Sequence, residues 1–122
     1  MANAINWFEI PTNDFSRAKD FYAQVFQGEF HIQEMGGIKM GFFPNDGEGV
    51  NGAICHGEGY EPSTKGALIY LNGGNDLAEP LARVEAAGGT IEMPKTKISD
   101  EIGFMAIFHD SEGNRLAFHS PS

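Results

Sequence analysis

The sequence predicts an α+β fold made of two copies of one strand–helix–three-strand unit. Two segments have the apolar periodicity of helices, and every other apolar segment is short and bounded by turn residues. The helical segments are half a chain apart, since the Asp-Phe pair at 14–15 matches the Asp-Leu pair at 76–77. The turn after the third strand of each half also recurs, as FPNDGEG (43–49) and FHDSEGN (108–114).

The first helix is predicted from the segment NDFSRAKDFYAQVFQG (13–28). Its apolar residues recur at the spacing of one buried helix face, and they are Phe15, Ala18, Phe21, Tyr22, Val25 and Phe26. Asn13 or Asp14 supplies the N-cap, because a short side-chain oxygen there accepts hydrogen bonds from free backbone N–H groups. Gly28 supplies the left-handed residue that ends the helix.

The second helix is predicted from the segment NDLAEPLARVEAAGG (75–89). Its buried face contains Leu77, Leu81, Val84 and Ala87. Asn75 or Asp76 is the expected N-cap, and the glycines at 88–89 end the helix. Pro80 lies in or near the first turn, where its missing N–H costs least.

The remaining apolar segments predict eight short strands. They are placed near 4–10, 29–35, 37–44, 50–56, 66–72, 89–93, 103–109 and 114–120. We expect a single domain over residues 1–122, with repeat one at about 4–56 and repeat two at about 66–120. One unit has too few strands to cover both faces of its sheet. The two units are therefore expected to join edges in a curled, partly open mixed sheet, with the helices on the outer face and a ligand on the concave side.

Charge and composition argue against binding of nucleic acid or of an anionic membrane, and they indicate the expected compartment. Eight basic and 17 acidic residues give a net charge of −9, whereas a binder of nucleic acid or of an anionic membrane needs a basic surface. We therefore expect neither of these partners. Cys55 is the only cysteine, which excludes an intramolecular disulfide and suits a reducing compartment. With no signal-peptide pattern and no long apolar stretch, a cytoplasmic location is expected.

The first strand raises the question of function, because AINWFEIP (4–11) places a carboxylate among apolar residues. Side chains alternate along a strand, so Ile5, Trp7 and Glu9 share one face. An unpaired buried charge costs several kcal/mol. Glu9 therefore has a partner or lies in a cavity that water enters, and the cavity is the interpretation we develop.

The duplicated βαβββ unit resembles the vicinal oxygen chelate superfamily, which contains glyoxalase I, bleomycin-resistance proteins and extradiol dioxygenases. Three stretches carry the resemblance, at 8–26, 70–89 and 93–120. The first is similar to the opening strand and helix of the family, and the last is similar to its closing hairpin. The resemblance implies a glyoxalase-like fold and a homodimer, since relatives of this length usually pair.

The resemblance also implies where metal-dependent members bind their ion, with His or Glu ligands on four strands. The first ligand position falls on Trp7 and the last on Ala117, and neither side chain can coordinate a cation. In the fourth strand only Cys55 and His56 could bind a metal, and the fifth strand offers no ligand. We therefore predict no cofactor, with a divalent metal at a displaced site as the alternative.

Several roles for Glu9 stay open. His119 lies two residues after the last ligand position, as Glu9 lies two residues after the first, so both could point into one chamber. They are predicted as a catalytic acid–base pair. Alternatively, Glu9, His119 and either His56 or Cys55 form a displaced metal site of a lyase, isomerase or dioxygenase. Glu9 could also serve only as a structural or ligand-orienting hydrogen-bond acceptor.

The predicted function is binding of a small organic molecule in the concave chamber, without the standard metal. Aromatic rings with a few polar groups suit aromatic or cationic ligands. The predicted pocket residues are Trp7, Cys55, Tyr70, Phe104 and Phe118. The sequence names no ligand, and it leaves open whether the protein is an enzyme.

Overall fold

The computed structural model describes residues 3–122 and contains two βαβββ units in chain order. The elements of the first unit are β1 (Trp7–Pro11), α1 (Phe15–Phe26), β2 (His31–Met35), β3 (Ile38–Phe42) and β4 (Asn51–His56). Those of the second unit are β5 (Tyr70–Asn72), α2 (Ala78–Ala87), β6 (Thr90–Ser99), β7 (Gly103–His109) and β8 (Arg115–Ser120). The predicted α+β class, with its two helices and eight strands, is confirmed.

Each unit forms its own four-stranded mixed sheet. The strand order is β1-β4-β3-β2 in the first sheet and β5-β8-β7-β6 in the second. One pair in each sheet is parallel, β1 with β4 and β5 with β8. Within the described residues the units thus form two sheets where one continuous curled sheet was expected, because β1 pairs only with β4 and β5 pairs only with β8.

Both helices pack against one core that draws residues from both units. The first unit contributes Ile10, Phe15, Ala18, Phe21, Tyr22, Val25, Phe43 and Ile54, and the second contributes Leu71, Leu77, Leu81, Val84, Ala106, Phe108, Leu116 and Phe118. The division of the chain into one domain with repeats at 4–56 and 66–120 stays a prediction. Neither helix in the described part of the chain is long and apolar enough to cross a membrane.

The first helix begins as predicted but ends differently. The Asp14 carboxylate accepts a hydrogen bond from the Arg17 backbone N–H at 3.0 Å, as an N-cap does. The left-handed residue at the other end is Gln27, with φ of 53°, so the prediction that Gly28 ends the helix in this way is wrong. Glycine is required at position 28 by packing, because a Cβ there would lie 2.6 Å from Cγ of Pro44.

The second helix starts two residues after the predicted cap. Asp76 still accepts from the Ala78 backbone N–H at 2.9 Å, but the residue in the cap position is Leu77. The Leu77 N–H donates to the Ser120 hydroxyl at 2.9 Å, which ties the helix start to the last strand. Gly88 ends the helix with φ of 111°, as predicted.

The turn before β8 fastens the second unit to the start of α1. The buried Glu112 carboxylate accepts hydrogen bonds from the backbone N–H groups of Asn13 and Asp14 at 2.8 and 2.7 Å. The Arg17 guanidinium donates two more, at 2.7 and 3.1 Å, and the Ser111 hydroxyl donates one at 3.0 Å. Because a helix N-terminus has free N–H groups and a partial positive charge, this carboxylate stabilises α1 from the other unit.

The same turn also anchors the middle of α1. The Tyr22 hydroxyl is buried and donates to the Asp110 carboxylate at 2.7 Å. The backbone N–H groups of Glu112 and Asn114 donate to the same carboxylate at 2.8 and 2.9 Å. Burial, and then the negative charge of Asp110, raise the pKa of Tyr22 well above its usual value. The phenol is thus a neutral donor that satisfies a buried acceptor.

Each sheet packs one face against the helices and leaves the other, which we call its open face, away from them. Because side chains alternate along a strand, neighbouring residues belong to different faces. In β8, Leu116 and Phe118 lie in the core, and Ala117 and His119 therefore point to the open face. The two open faces are where the predicted site residues have to be sought.

Candidate functional site

Three of the predicted site residues meet on the open face of the first sheet. Trp7 and Glu9 lie on β1, and Cys55 lies on the neighbouring strand β4. Phe42 of β3 adds a ring that stands edge-on to Trp7, with the ring centroids 5.7 Å apart. Tyr60, from the connection between the two units, covers this part of the sheet. We call these five residues the Glu9 cluster.

The Glu9 cluster is open to water. Glu9 is exposed, and the side chain of Trp7 is 44% exposed. Glu9 has a hydrogen-bond partner in Tyr60, and it also borders a cavity that is open to water, because the helices pack on the opposite face of β1. A carboxylate in contact with water pays no large desolvation cost, and it needs no basic partner to stay ionised.

Two aromatic side chains fix the position of the Glu9 carboxylate. The Tyr60 hydroxyl donates to Oε1 at 2.6 Å, and the Trp7 indole N–H lies 3.4 Å from Oε2. The hydrogen bond to Glu9 is the main reason that the pKa of Tyr60 is raised to about 12. No basic side chain of residues 3–122 forms a salt bridge with Glu9. The cluster therefore offers an oriented negative charge beside an exposed indole.

Cys55 lies beneath the surface of this site. Its side chain is fully buried, and it packs with Met40 and Ala53 beneath Tyr60. Burial, and then the nearby charge of Glu9, raise the pKa of the Cys55 thiol to about 12. Because the thiolate is the form that binds metals and attacks electrophiles, this cysteine acts as a small apolar residue at neutral pH.

The other predicted polar residue lies on the open face of the second sheet. His119 borders a groove of about 600 Å³ together with Tyr70, Leu71, Asn72, Ile98 and Ile102. Its Nε2 lies 2.6 Å from the Ile102 carbonyl oxygen, so Nε2 carries the proton that this hydrogen bond needs. In the neutral ring Nδ1 is then left as an acceptor. Tyr70, a predicted pocket residue, is 48% exposed and lines the same groove.

The structure does not bring Glu9 and His119 together as a hydrogen-bonded pair. Glu9 accepts from Tyr60 and Trp7 in the first sheet, whereas His119 donates to a backbone carbonyl in the second. Both residues point to open faces, as strand alternation predicts, but the faces belong to two separate sheets. Their action as an acid–base pair stays a prediction.

The residues present do not fit a divalent metal ion. The positions that the resemblance assigns to the first and last ligands hold Trp7 and Ala117, and neither side chain offers a coordinating atom. His56 is turned to the backbone oxygen of Thr12, 3.2 Å from its Nδ1. Among residues 3–122, no group of three or more His, Cys, Asp or Glu side chains is placed to hold a metal. The described residues of one chain therefore do not assemble the displaced metal site.

Two of the predicted pocket residues belong to the core. Phe118 is fully buried on the helix side of β8, with its ring stacked on Phe108 at 4.5 Å between centroids. Phe104 packs against the same core, and the Lys95 ammonium lies 4.5 Å from its ring centroid. Both assignments to the concave lining are wrong, because these phenylalanines lie on the opposite faces of β8 and β7 from His119 and Met105.

Two residues of the Glu9 cluster, Tyr60 and Phe42, were not predicted from the sequence. Tyr60 belongs to the segment GEGYEPSTKG (57–66), which joins the two units. The long sequence separation from Glu9 hides the contact, since a connection has no periodicity to fix where a side chain points. Phe42 lies opposite Ala53 in the pairing of β3 with β4, and this register places it on the same face as Glu9.

Comparisons with known proteins agree with this geometry. The sequence model of the glyoxalase/bleomycin resistance protein/dioxygenase superfamily matches residues 4–118. A glyoxylase-like domain-containing protein from Didymella fabae is 31% identical over 118 residues, which are 93% of this chain and 90% of that protein.

Solved structures share the fold at lower identity. An antibiotic binding protein from a Streptomyces species superposes with a TM-score of 0.71 at 23% identity, covering 100% of this chain and 99% of that one. A glyoxalase I variant from Zea mays superposes with a TM-score of 0.73 at 16% identity, over 95% of this chain and 45% of that one. The duplicated unit and the family match together show that this chain belongs to the glyoxalase/bleomycin resistance protein/dioxygenase superfamily.

Proposed function

We propose that this protein binds a small, positively charged organic molecule at the Glu9 cluster, without a divalent metal. The observation that carries the proposal is a carboxylate that has no basic partner within the described part of the chain and is held beside an indole that is 44% exposed. A ligand cation over the face of Trp7 would gain cation–π attraction, and Glu9 would supply the counter-charge. The net charge of −9 would favour the approach of such a ligand.

The comparisons support the binding of a small molecule, but they do not indicate which molecule. The fold neighbour from Streptomyces is described as an antibiotic binding protein, and family members bind small molecules. The alternative of a metal-dependent lyase, isomerase or dioxygenase lacks its ligand set among the described residues. Binding through charge and aromatic contact needs no further group from the chain.

A fluorescence titration tests this proposal directly, because Trp7 is the only tryptophan in the chain. We expect benzyltrimethylammonium to change the Trp7 emission in a saturable way, and benzenesulfonate to leave it unchanged. The Glu9→Gln variant should bind the cation about tenfold more weakly, a loss of about 1.4 kcal/mol. Glu9 is exposed, so this variant keeps its fold, and circular dichroism verifies that.

Glu34→Gln is the matched control for this experiment, since Glu34 is an exposed carboxylate on β2 of the same sheet. It removes the same unit of charge but does not belong to the Glu9 cluster. Equal weakening by Glu34→Gln and Glu9→Gln would mean that the acidic surface as a whole attracts the cation, and it would contradict a site at Glu9.

We also propose that two copies of the chain associate through the open face of the second sheet, which leaves the Glu9 cluster accessible. Large apolar side chains are exposed around one groove of this face, among them Tyr70 at 48%, Ile98 at 41% and Ile102 at 55%. Contiguous exposed apolar surface marks an association site. Sedimentation velocity at micromolar concentration should show a dimer, and Ile102→Asp should shift it towards monomer. A wild-type chain that sediments as a monomer would contradict this proposal.

A further inference from the structure

A cavity of about 210 Å³ lies directly beside Glu9, between the edge of the first sheet, the second sheet and the connection that joins the two units. Because β1 is an edge strand, Glu9, Ile10 and Pro11 all border this cavity. Ile69 and Leu116 line it from the second unit. Of the Glu9 cluster only Glu9 borders the cavity, so Glu9 is the residue that the two share.

The cluster and the cavity follow one another along β1. Trp7, Glu9 and Pro11 alternate with the other residues of the strand and share one face, with successive side chains about 7 Å apart. Trp7 precedes Glu9 on this face, and Pro11 follows it at the border of the cavity. A molecule whose cation lies beside Trp7 can therefore extend past Glu9 into the cavity.

The wall of the cavity is apolar where it is buried. Ile10 and Leu116 are buried, and Ile69 is partly buried. Asn114 is a buried polar residue of the wall, but its amide already donates to the Pro11 carbonyl oxygen at 2.8 Å and accepts a backbone N–H of the connection at 3.1 Å. The occupant needs no hydrogen bond to this wall, which favours an apolar group.

The charges around the cavity leave a net negative charge beside it. The Arg115 guanidinium donates two hydrogen bonds to the Glu92 carboxylate, each 2.9 Å long, so this cation is largely neutralised. Glu61 and Lys65 are exposed and have opposite signs, so together they add no net charge. The carboxylate of Glu9 remains, and no basic side chain in residues 3–122 forms a salt bridge with it. A ligand with its positive charge at Glu9 is therefore favoured.

The shape of the cavity is set by the fold. The Ser63 backbone N–H donates to Oδ1 of Asn114, and the Lys65 backbone N–H donates to the Ser63 hydroxyl at 2.9 Å. The Asn114 amide also donates to the Asp110 carboxylate at 3.0 Å. The connection is thus tied to the start of β8. A site that is formed in advance loses little affinity to the ordering of its walls.

The volume of the cavity limits the group that enters it. A water-sized group occupies about 30 Å³ of liquid volume, so about 210 Å³ has room for about seven such groups. A benzyl group or an alkyl chain of about seven carbons has this size. Pockets for whole drug-sized ligands hold roughly 300–1,000 Å³, and the cavity therefore suits one part of a ligand.

We propose that this cavity is the second half of the Glu9 site and binds the apolar group of an alkyl- or arylalkylammonium ion. The inference rests on the proposed function, since the cation lies beside Trp7 and Glu9 as described above. The apolar group then contacts Ile10, Ile69 and Leu116. The ligand class is an ammonium ion with an apolar group of about seven carbons.

A series of probes with one cation and different chain lengths tests this proposal. The probes are tetramethylammonium, butyltrimethylammonium, hexyltrimethylammonium and decyltrimethylammonium, followed by the emission of Trp7. We expect the affinity to rise about twofold to fourfold with each added methylene and to level off beyond about seven carbons. In the ¹⁵N-labelled protein, hexyltrimethylammonium should shift the amide signals of Ile69 and Leu116, and tetramethylammonium should not.

Ala67→Phe fills the cavity from its exposed border, because Ala67 lines the cavity and is exposed. This variant should weaken the binding of hexyltrimethylammonium about tenfold and should leave that of tetramethylammonium unchanged, since the smaller ion does not enter the cavity. Thr64→Phe is the matched control, because Thr64 is exposed on the same connection and does not line the cavity. It adds the same ring and should leave both affinities unchanged.

Two results would overturn this inference and leave the proposed function intact. One is equal affinity for tetramethylammonium and hexyltrimethylammonium. The other is equal weakening of hexyltrimethylammonium by Ala67→Phe and Thr64→Phe. If no probe binds, tetramethylammonium included, the proposed function fails and this inference fails with it.

Discussion

Replacing Glu112 by alanine is expected to lower the free energy of unfolding by about 3 kcal/mol. The substitution removes an acceptor of five hydrogen bonds, two from the backbone at the start of α1, two from Arg17 and one from Ser111. The N–H groups of Asn13 and Asp14 then lose their partner. Urea denaturation measures the effect as a lower midpoint at an unchanged slope.

The same carboxylate makes stability depend on pH. Burial raises the pKa of Glu112, but the hydrogen bonds from Arg17 and from the N–H groups of Asp14 and Asn13 outweigh burial and leave the pKa below its usual value of 4.5. The stabilisation is therefore fully present above the pKa of the unfolded chain, and it is lost as pH falls through the lower pKa of the folded chain. Glu112→Ala should flatten this acid-side loss.

Glu58→Ala is the control for that experiment, since Glu58 is exposed and has no comparable set of donors. We expect it to change the free energy of unfolding, obtained from the same urea denaturation, by no more than about 0.5 kcal/mol. If Glu112→Ala behaves like Glu58→Ala, the contact between the two units would not contribute to stability in the way described.

Phe118→Ala is expected to have the largest effect, a loss of about 3–5 kcal/mol in the free energy of unfolding. Phe118 is fully buried, stacks on Phe108 and meets the Phe26 ring edge-on at 5.9 Å between centroids. Alanine would leave a cavity that the surrounding rings cannot fill. Thermal and urea denaturation should both detect the change.

Tyr70→Ala tests the assignment of the two faces, because Tyr70 is 48% exposed on the open face of the same sheet. Tyr70→Ala should lower the free energy of unfolding only slightly. Phe118→Ala should leave the binding of benzyltrimethylammonium unchanged at temperatures where the variant is folded. If the Phe118→Ala variant is stable but no longer binds the cation, Phe118 contacts the ligand, and its assignment to the core is contradicted.

Local sequence patterns predicted which helices and strands form and the face of β1, but they did not fix every boundary, since β6 extends to Ser99. The apolar spacing of Phe15, Ala18 and Tyr22 defined α1, and alternation placed Trp7 and Glu9 on one side of β1. Alternation applied consistently would also have placed Phe118 in the core, because it directly follows Ala117 on the open face. That error was avoidable from the sequence.

The remaining features depend on contacts between distant parts of the chain. Tyr60 reaches Glu9 from a connection with no periodicity, and Glu112 reaches the start of α1 from a turn 98 residues further on. The separation of Glu9 and His119 follows from how the two sheets are arranged, which strand patterns do not encode. The sequence DSEGN predicted a turn at 110–114, but it did not predict that this turn caps α1.

The strict alternation in β8 has a consequence for how this protein can diverge. Leu116 and Phe118 point to the core, while Ala117 and His119 point to the opposite face, where His119 borders the groove beside Tyr70. Mutation can therefore reshape selectivity at every second position of the strand while the hydrophobic interior is inherited unchanged. An insertion of one residue within β8 would exchange the two sets and abolish both at once.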